Sequence, residues 1–130
     1  MAIKVLLDTH ALLWALVEPD KLSPRAMEII EDAQNTVVVS AACAWEIAIK
    51  FDLGRLPEAR AVVEGYPQHL RTLRAIELAI HSTHAIKAGT FGVSHRDPFD
   101  RVLAAQSLVE ALPIISKDRV FKDFDVVTIW

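Results

Sequence analysis

The stretch Thr36-Val37-Val38-Val39-Ser40-Ala41-Ala42-Cys43-Ala44-Trp45-Glu46-Ile47-Ala48-Ile49-Lys50 decides the fold class. Its first part, Thr36 to Ser40, is an unbroken β-branched run after the turn-prone Asn35 and reads as a strand. From Ala42 to Phe51 the pattern reads as helix, stopped near Gly54. A strand without polar alternation is one buried on both faces, as in a parallel sheet covered by helices.

The same unit recurs outward in both directions. Ile3 to Leu7 reads as a strand, and His10 to Val17 as a helix broken by Glu18-Pro19-Asp20. Ser23-Pro24 opens a helix to about Ala33, with a capping hydroxyl and a proline in the first turn. Glu58 to about Leu73 is helical, interrupted by Gly65 and Pro67. Ala75 to Leu78 is a strand, and Ser82 to Ala88 a helix ended by Gly89. Asp97-Pro98 starts a long helix to about Glu110, and strands follow at Leu112 to Ser116 and Val126 to Ile129. Strands alternating with helices predict a single α/β domain over residues 1–130 with a mostly parallel sheet.

Composition agrees. The 130 residues are one domain's worth, and 52% hydrophobic with 24% charged residues excludes a disordered chain. The single Cys43 excludes an intramolecular disulfide and a paired-cysteine metal motif, and its apolar neighbours predict an inert buried thiol. No run of ~20 apolar residues predicts a membrane span, and no signal-peptide pattern opens the chain, so the expectation is a cytoplasmic protein. The net charge of -3, from 14 basic and 17 acidic residues, argues by itself against nucleic-acid binding through bulk charge.

In open α/β sheets the site lies beyond the carboxyl ends of the strands. There the sequence places acids. Asp8 follows the first strand, Glu46 lies on the helix after the second, Asp97 and Asp100 open the helix before the fourth, and Asp118 follows the fourth. Local uses exist for most: Asp8, Asp97 and Asp118 all stand where a helix or turn needs a cap. Glu46 is harder to explain inside an apolar helix, although Lys50 at i+4 offers an ion pair. Together, crowded carboxylates raise one another's pKa, and a hard divalent cation such as Mg²⁺ or Mn²⁺ removes that cost. Setting those five aside leaves 12 of the 17 acids against 14 basic residues, so the negative charge is concentrated in the cluster.

Four segments resemble the PIN-domain ribonucleases, and within them the VapC-type toxins of toxin–antitoxin pairs. They are Leu6-Leu7-Asp8-Thr9-His10-Ala11-Leu12-Leu13-Trp14, the Ser40 to Lys50 stretch, His95-Arg96-Asp97-Pro98-Phe99-Asp100-Arg101-Val102-Leu103-Ala104-Ala105-Gln106, and Ile114-Ile115-Ser116-Lys117-Asp118. The resemblance covers the whole chain. It implies a three-layer α/β/α domain with a five-stranded parallel sheet in the order 3-2-1-4-5. It implies Mg²⁺- or Mn²⁺-dependent endonucleolytic cleavage of RNA, with the family's acidic positions falling on Asp8, Glu46, Asp100 and Asp118. Asp97 is read as a cap first and an outer ligand second. Thr9 and Ser116 hold ligands in place or make local turn bonds.

Lys50, Arg96, Arg101, Lys117 and Arg119 lie near these acids, and Arg96, Arg101 and Lys117 are the expected phosphate contacts. His10 and His95 are expected to be exposed or to act behind the ligands. Trp45 is expected in the core, while Trp14 suits either base stacking or an apolar surface for a partner. The expected partners are RNA, a cognate antitoxin protein and a second copy of the chain. A catalytically inactive RNA- or protein-binding module of the same fold is the alternative, disfavoured by the filled acidic positions. A haloacid-dehalogenase phosphatase would want an aspartate where His10 stands, and a receiver domain one where His81-Ser82-Thr83 follows the third strand.

Overall fold

The computed structural model describes residues 2–130. Five parallel strands form one sheet in the order β3-β2-β1-β4-β5, with helices on both sides. They are β1 (Lys4–Leu7), β2 (Thr36–Ser40), β3 (Ala75–Leu78), β4 (Ile114–Ile115) and β5 (Thr128–Ile129). The helices are α1 (Thr9–Val17), α2 (Pro24–Glu31), α3 (Ala41–Asp52), α4 (Arg60–Glu64), α5 (Tyr66–Thr72), α6 (Ser82–Thr90) and α7 (Pro98–Glu110).

The sheet is centred on β1, β2 and β4, whose apolar side chains are buried on both faces. Val5, Leu6, Leu7, Val37, Val38, Val39, Ile114 and Ile115 are all buried. Each such side chain contributes about 1.5–3 kcal/mol when removed from water. Register aligns the strand ends: Leu7 pairs with Val39 on one side and with Ile115 on the other. The chain leaves β1 for β2 in one direction and reaches β4 in the other. The carboxyl ends of β1 and β4 therefore border the crevice where the order reverses.

Three local expectations are corrected. Gly89 does not end α6, which continues to Thr90. The helix stops where Phe91 turns extended, and the carbonyls of Ala88 and Phe91 are drawn onto the Arg101 guanidinium. Strands β4 and β5 have only two residues each, shorter than Leu112 to Ser116 and Val126 to Ile129 suggested. The Pro113 carbonyl still accepts from the Leu6 amide, and the Ile114 amide donates to Val127, so the pairing extends past the formal strand ends. Trp45 is not in the core: it is 57% exposed, with its ring edge-on to Phe99 at 4.9 Å. Its neighbours Cys43 and Ile47 take the inward face of α3 instead. The interrupted region after Leu56 splits at Gly65 into α4 and α5.

Candidate active site

Asp8 follows β1 directly and caps α1. Its Oδ1 accepts the Ala11 amide at 2.7 Å. Its Oδ2 accepts the hydroxyl of Ser116, which follows β4. The neighbouring strands thus deliver one residue to hold the other. Ser116 Oγ also accepts the Asp118 amide at 2.9 Å, fixing the start of the 3₁₀ turn Arg119–Phe124. Asp118 caps that turn through the Val120 amide at 3.0 Å.

Glu46 enters from α3 and is 8% exposed. Thr9 donates to its Oε1 at 2.6 Å, and Lys50 Nζ donates to its Oε2 at 2.7 Å. The interior glutamate is therefore paired on both oxygens, with one turn of α3 supplying the cation. Asp97 caps α7, its Oδ1 accepting the amides of Phe99 at 2.9 Å and Asp100 at 3.2 Å. Asp100, in the first turn of α7, pairs through Oδ2 with His95 Nε2 at 2.8 Å.

Asp8, Glu46, Asp97, Asp100 and Asp118 line a single cleft together with Thr9, His10 and Lys50. A neighbouring pocket shares Asp8, His10 and Asp118 and adds Trp14 and Lys117. Burial pushes the Asp8 carboxyl above the ordinary carboxylate range, against the bonds from Ser116 and Ala11, and the Asp118 charge adds to the rise. Burial likewise raises Asp100, opposed by His95 and reinforced by the charges of Asp97 and Asp118. Burial pushes the Cys43 thiol up to about 12, which leaves it inert.

The donors are all hard oxygens, crowded and partly stripped of water, and Lys50 is committed to Glu46. That chemistry suits a hard divalent cation. Among the described residues, no three His, Cys, Asp or Glu side chains converge closely enough to chelate an ion by themselves. Mg²⁺ fits such a set because it keeps several waters and takes one or two carboxylates directly.

The basic residues divide differently from the expectation. Arg101 is not available for phosphate. Its Nε donates to Ala88 at 2.7 Å, one terminal nitrogen to Val93 and His95 at 3.0 and 2.8 Å, and the other to Phe91 at 3.0 Å. Four of its five donors thus hold the backbone between α6 and α7, and the guanidinium lies over the Phe91 ring. Arg96 and Lys117 are exposed, and Lys117 lines the pocket beside the cleft. His95 stands behind Asp100, one of the two places expected of it, although its partner is not named by the sequence. The signal for the pair was the five-residue spacing across a helix start, which leaves the loop free to fold the ring back.

Residues 5–127 match the family model described as PIN domain. Ribonuclease VapC22 of Mycobacterium tuberculosis (strain ATCC 25618 / H37Rv) is 30% identical over 133 aligned positions, covering 97% of this chain and 98% of that protein. Ribonuclease VapC16 of the same organism is 34% identical over 71 residues, where the match spans half of that relative's length and 52% of this chain. The fold is also that of VapBC2 from Rickettsia felis, solved bound to a DNA fragment from its promoter. The TM-score is 0.67 at 13% identity, over 99% of this chain and 98% of that one. A toxin–antitoxin complex from Klebsiella pneumoniae matches with a TM-score of 0.59 at 14% identity, over 97% and 96% of the two chains.

Proposed function

The chain belongs to the PIN-domain family, and from that premise we propose that it is a Mg²⁺- or Mn²⁺-dependent endoribonuclease, the toxin of a toxin–antitoxin pair. The observation that carries this reading is the gathering of five carboxylates from four parts of the chain into one cleft at the switch point of the sheet. Capping accounts for Asp8, Asp97 and Asp118 but not for Glu46, which lies inside α3, or Asp100, which lies inside α7.

Asp8 and Asp100 would hold the ion directly, with Glu46 and Asp118 completing the site and Asp97 outside them. When bound, the ion supplies a lowered water pKa and stabilisation of charge on the phosphoryl group. The protein's own part is positioning. Ser116 and the Ala11 amide fix both oxygens of Asp8. His95 orients Asp100, while Thr9 and Lys50 orient Glu46. Lys117 and Arg96, both exposed, would meet substrate phosphates.

The partner in this reading is an antitoxin protein. Trp45, Ile49 and Leu53 stand in a row on the solvent side of α3, which carries Glu46 into the cleft on its other side. That row offers an apolar face to a protein partner beside the site. A homodimer and a cytoplasmic RNA substrate complete the proposal. Among the described residues, no helix is long and apolar enough to cross a membrane.

The test is cleavage of single-stranded RNA by the purified chain with Mn²⁺, with and without EDTA. Chelator-sensitive cutting that disappears in Asp8→Asn supports the reading. A folded protein that binds RNA but never cuts it, with any divalent ion, would favour the inactive binding module.

A further inference from the structure

His10 is the exposed member of an aromatic ladder that leads from the cleft into the core. Its ring stacks on Trp14 with centroids 5.6 Å apart and planes 28° from parallel. Trp14 in turn meets Trp130 at 5.8 Å, tilted by 57°. Both tryptophans are half-buried and packed against the core, so the lower rungs are fixed. His10 sits in the first turn of α1, whose start is set by the Asp8 cap. The rung of this ladder that lines the cleft is thus held in place from behind and open in front.

The pocket that His10 and Trp14 line is continuous in composition with the carboxylate cleft. Asp8, His10 and Asp118 belong to both, and Lys117 closes the pocket with an exposed ammonium. We propose that this pocket seats the nucleoside next to the cleaved phosphate, with its base stacked on the His10 ring and the adjoining phosphate met by Lys117. The proposal rests on the nuclease reading above. Single-stranded RNA offers unstacked bases to aromatic and histidine rings. A phosphate placed at Asp8 would adjoin this wall, since Asp8 lines both the cleft and the pocket. The two carboxylates there repel a bare phosphate, and Lys117 supplies the local compensation. The exposed Lys117 ammonium beside the ring suits an occupant that carries phosphate, which makes a nucleoside the favoured one.

The experiment uses the full chain, Mn²⁺ and a short single-stranded RNA that the wild type cuts, with single abasic positions walked through it. One abasic position beside the cut is expected to lower kcat/KM by about 5- to 100-fold, the range of a lost base–aromatic stack. His10→Ala should cost a similar factor on intact RNA and add no further loss on that abasic substrate. His10→Phe should restore cleavage of intact RNA and leave its pH profile unchanged, since stacking needs a ring and not a titratable nitrogen. Three results overturn the proposal: additive losses at every abasic position, failure of His10→Phe to rescue together with a displaced pH profile, or unchanged RNA kinetics in a His10→Ala chain that loses a protein partner. The first would deny the stack, the second would make His10 a proton carrier, and the third would make the pocket a protein seat. A wild type that cuts no RNA at all instead removes the nuclease reading and this subsite with it.

Discussion

Ser116 donates its hydroxyl to Asp8 across 108 residues of chain, and it does so because β1 and β4 are neighbours in the sheet. The bond fixes one oxygen of the most buried carboxylate in the cleft, while the Ala11 amide fixes the other. Ser116→Ala should therefore act on Asp8 at a distance. Unfolding by denaturant should show a loss of about 1–3 kcal/mol, the cost of leaving a buried acceptor short of a donor. Mn²⁺ affinity or cleavage should fall about 10–100-fold, as for other partners standing behind metal ligands. Ser116→Thr, which keeps the hydroxyl, should recover part of the loss. Wild-type affinity in Ser116→Ala would show that the bond does not position Asp8.

Asp8→Asn and Asp100→Asn should each reduce RNA cleavage by at least about 100-fold, more than 2.7 kcal/mol of transition-state stabilisation. Neither should unfold the chain, because an amide fills the same space without a buried charge. Circular dichroism and cleavage rates on the same samples make the check. A folded Asp8→Asn protein that cuts RNA at the wild-type rate would falsify the assignment.

Metal-free stability should depend on pH through the same two acids. Burial raises the folded-state pKa of Asp8 and Asp100 above their ordinary value of 3.8, so the folded chain holds those protons more tightly. Their stabilising contribution is complete below 3.8 and is lost as pH rises through the raised values. At neutral pH Asp8→Asn, which carries no charge to bury, should melt above the metal-free wild type. That gap should close as the pH is lowered. Mn²⁺ should raise the wild-type Tm more at neutral than at acidic pH. A gap between the two proteins that stays constant with pH contradicts the argument.

Arg101 holds the loop between α6 and α7 rather than substrate, so its loss should appear in stability before it appears in RNA affinity. Arg101→Lys should be nearly as damaging as Arg101→Ala, because one ammonium cannot reproduce a fork that satisfies the carbonyls of Ala88, Phe91, Val93 and His95. A loss of about 3 kcal/mol is expected, the upper range for a hydrogen bond to a charged group. Arg96→Ala and Lys117→Ala should show the reverse pattern, with unchanged Tm and weaker RNA binding whose salt dependence is reduced. Equal RNA-binding losses at all three positions would restore Arg101 to the substrate groove.

Much of the local structure is legible in single segments. Thr36–Ser40, Ala75–Leu78 and Pro98–Glu110 have the limits their side chains announce. A β-branched run or a cap followed by proline acts within a few residues, so neighbours in sequence suffice to read it. Gly89 misled because a glycine near a helix end is a weak stop, and the end of α6 is set by Arg101 from a later helix. Trp45 misled because the apolar composition of α3 does not say which face turns inward. The acids also have double uses that no spacing can separate. Asp8, Asp97 and Asp118 are all caps and all line the cleft.

The alternation of strands and helices, the places where free amides need caps, and the residue types that stand there are legible in local stretches of chain. These depend on backbone propensity and on side chains a turn or less away. The fold brought together the carboxylates that the motifs had already grouped, and it alone settled which cations remain free and which aromatic ring faces the cleft. Those outcomes depend on parallel pairing between strands far apart in the chain, and on loop carbonyls that compete with a phosphate for the same guanidinium. Arg101 and Lys117 carry the same charge, and each adjoins a cleft acid in sequence, Arg101 after Asp100 and Lys117 before Asp118. Only the fold turns one onto its own backbone and leaves the other open beside Asp8.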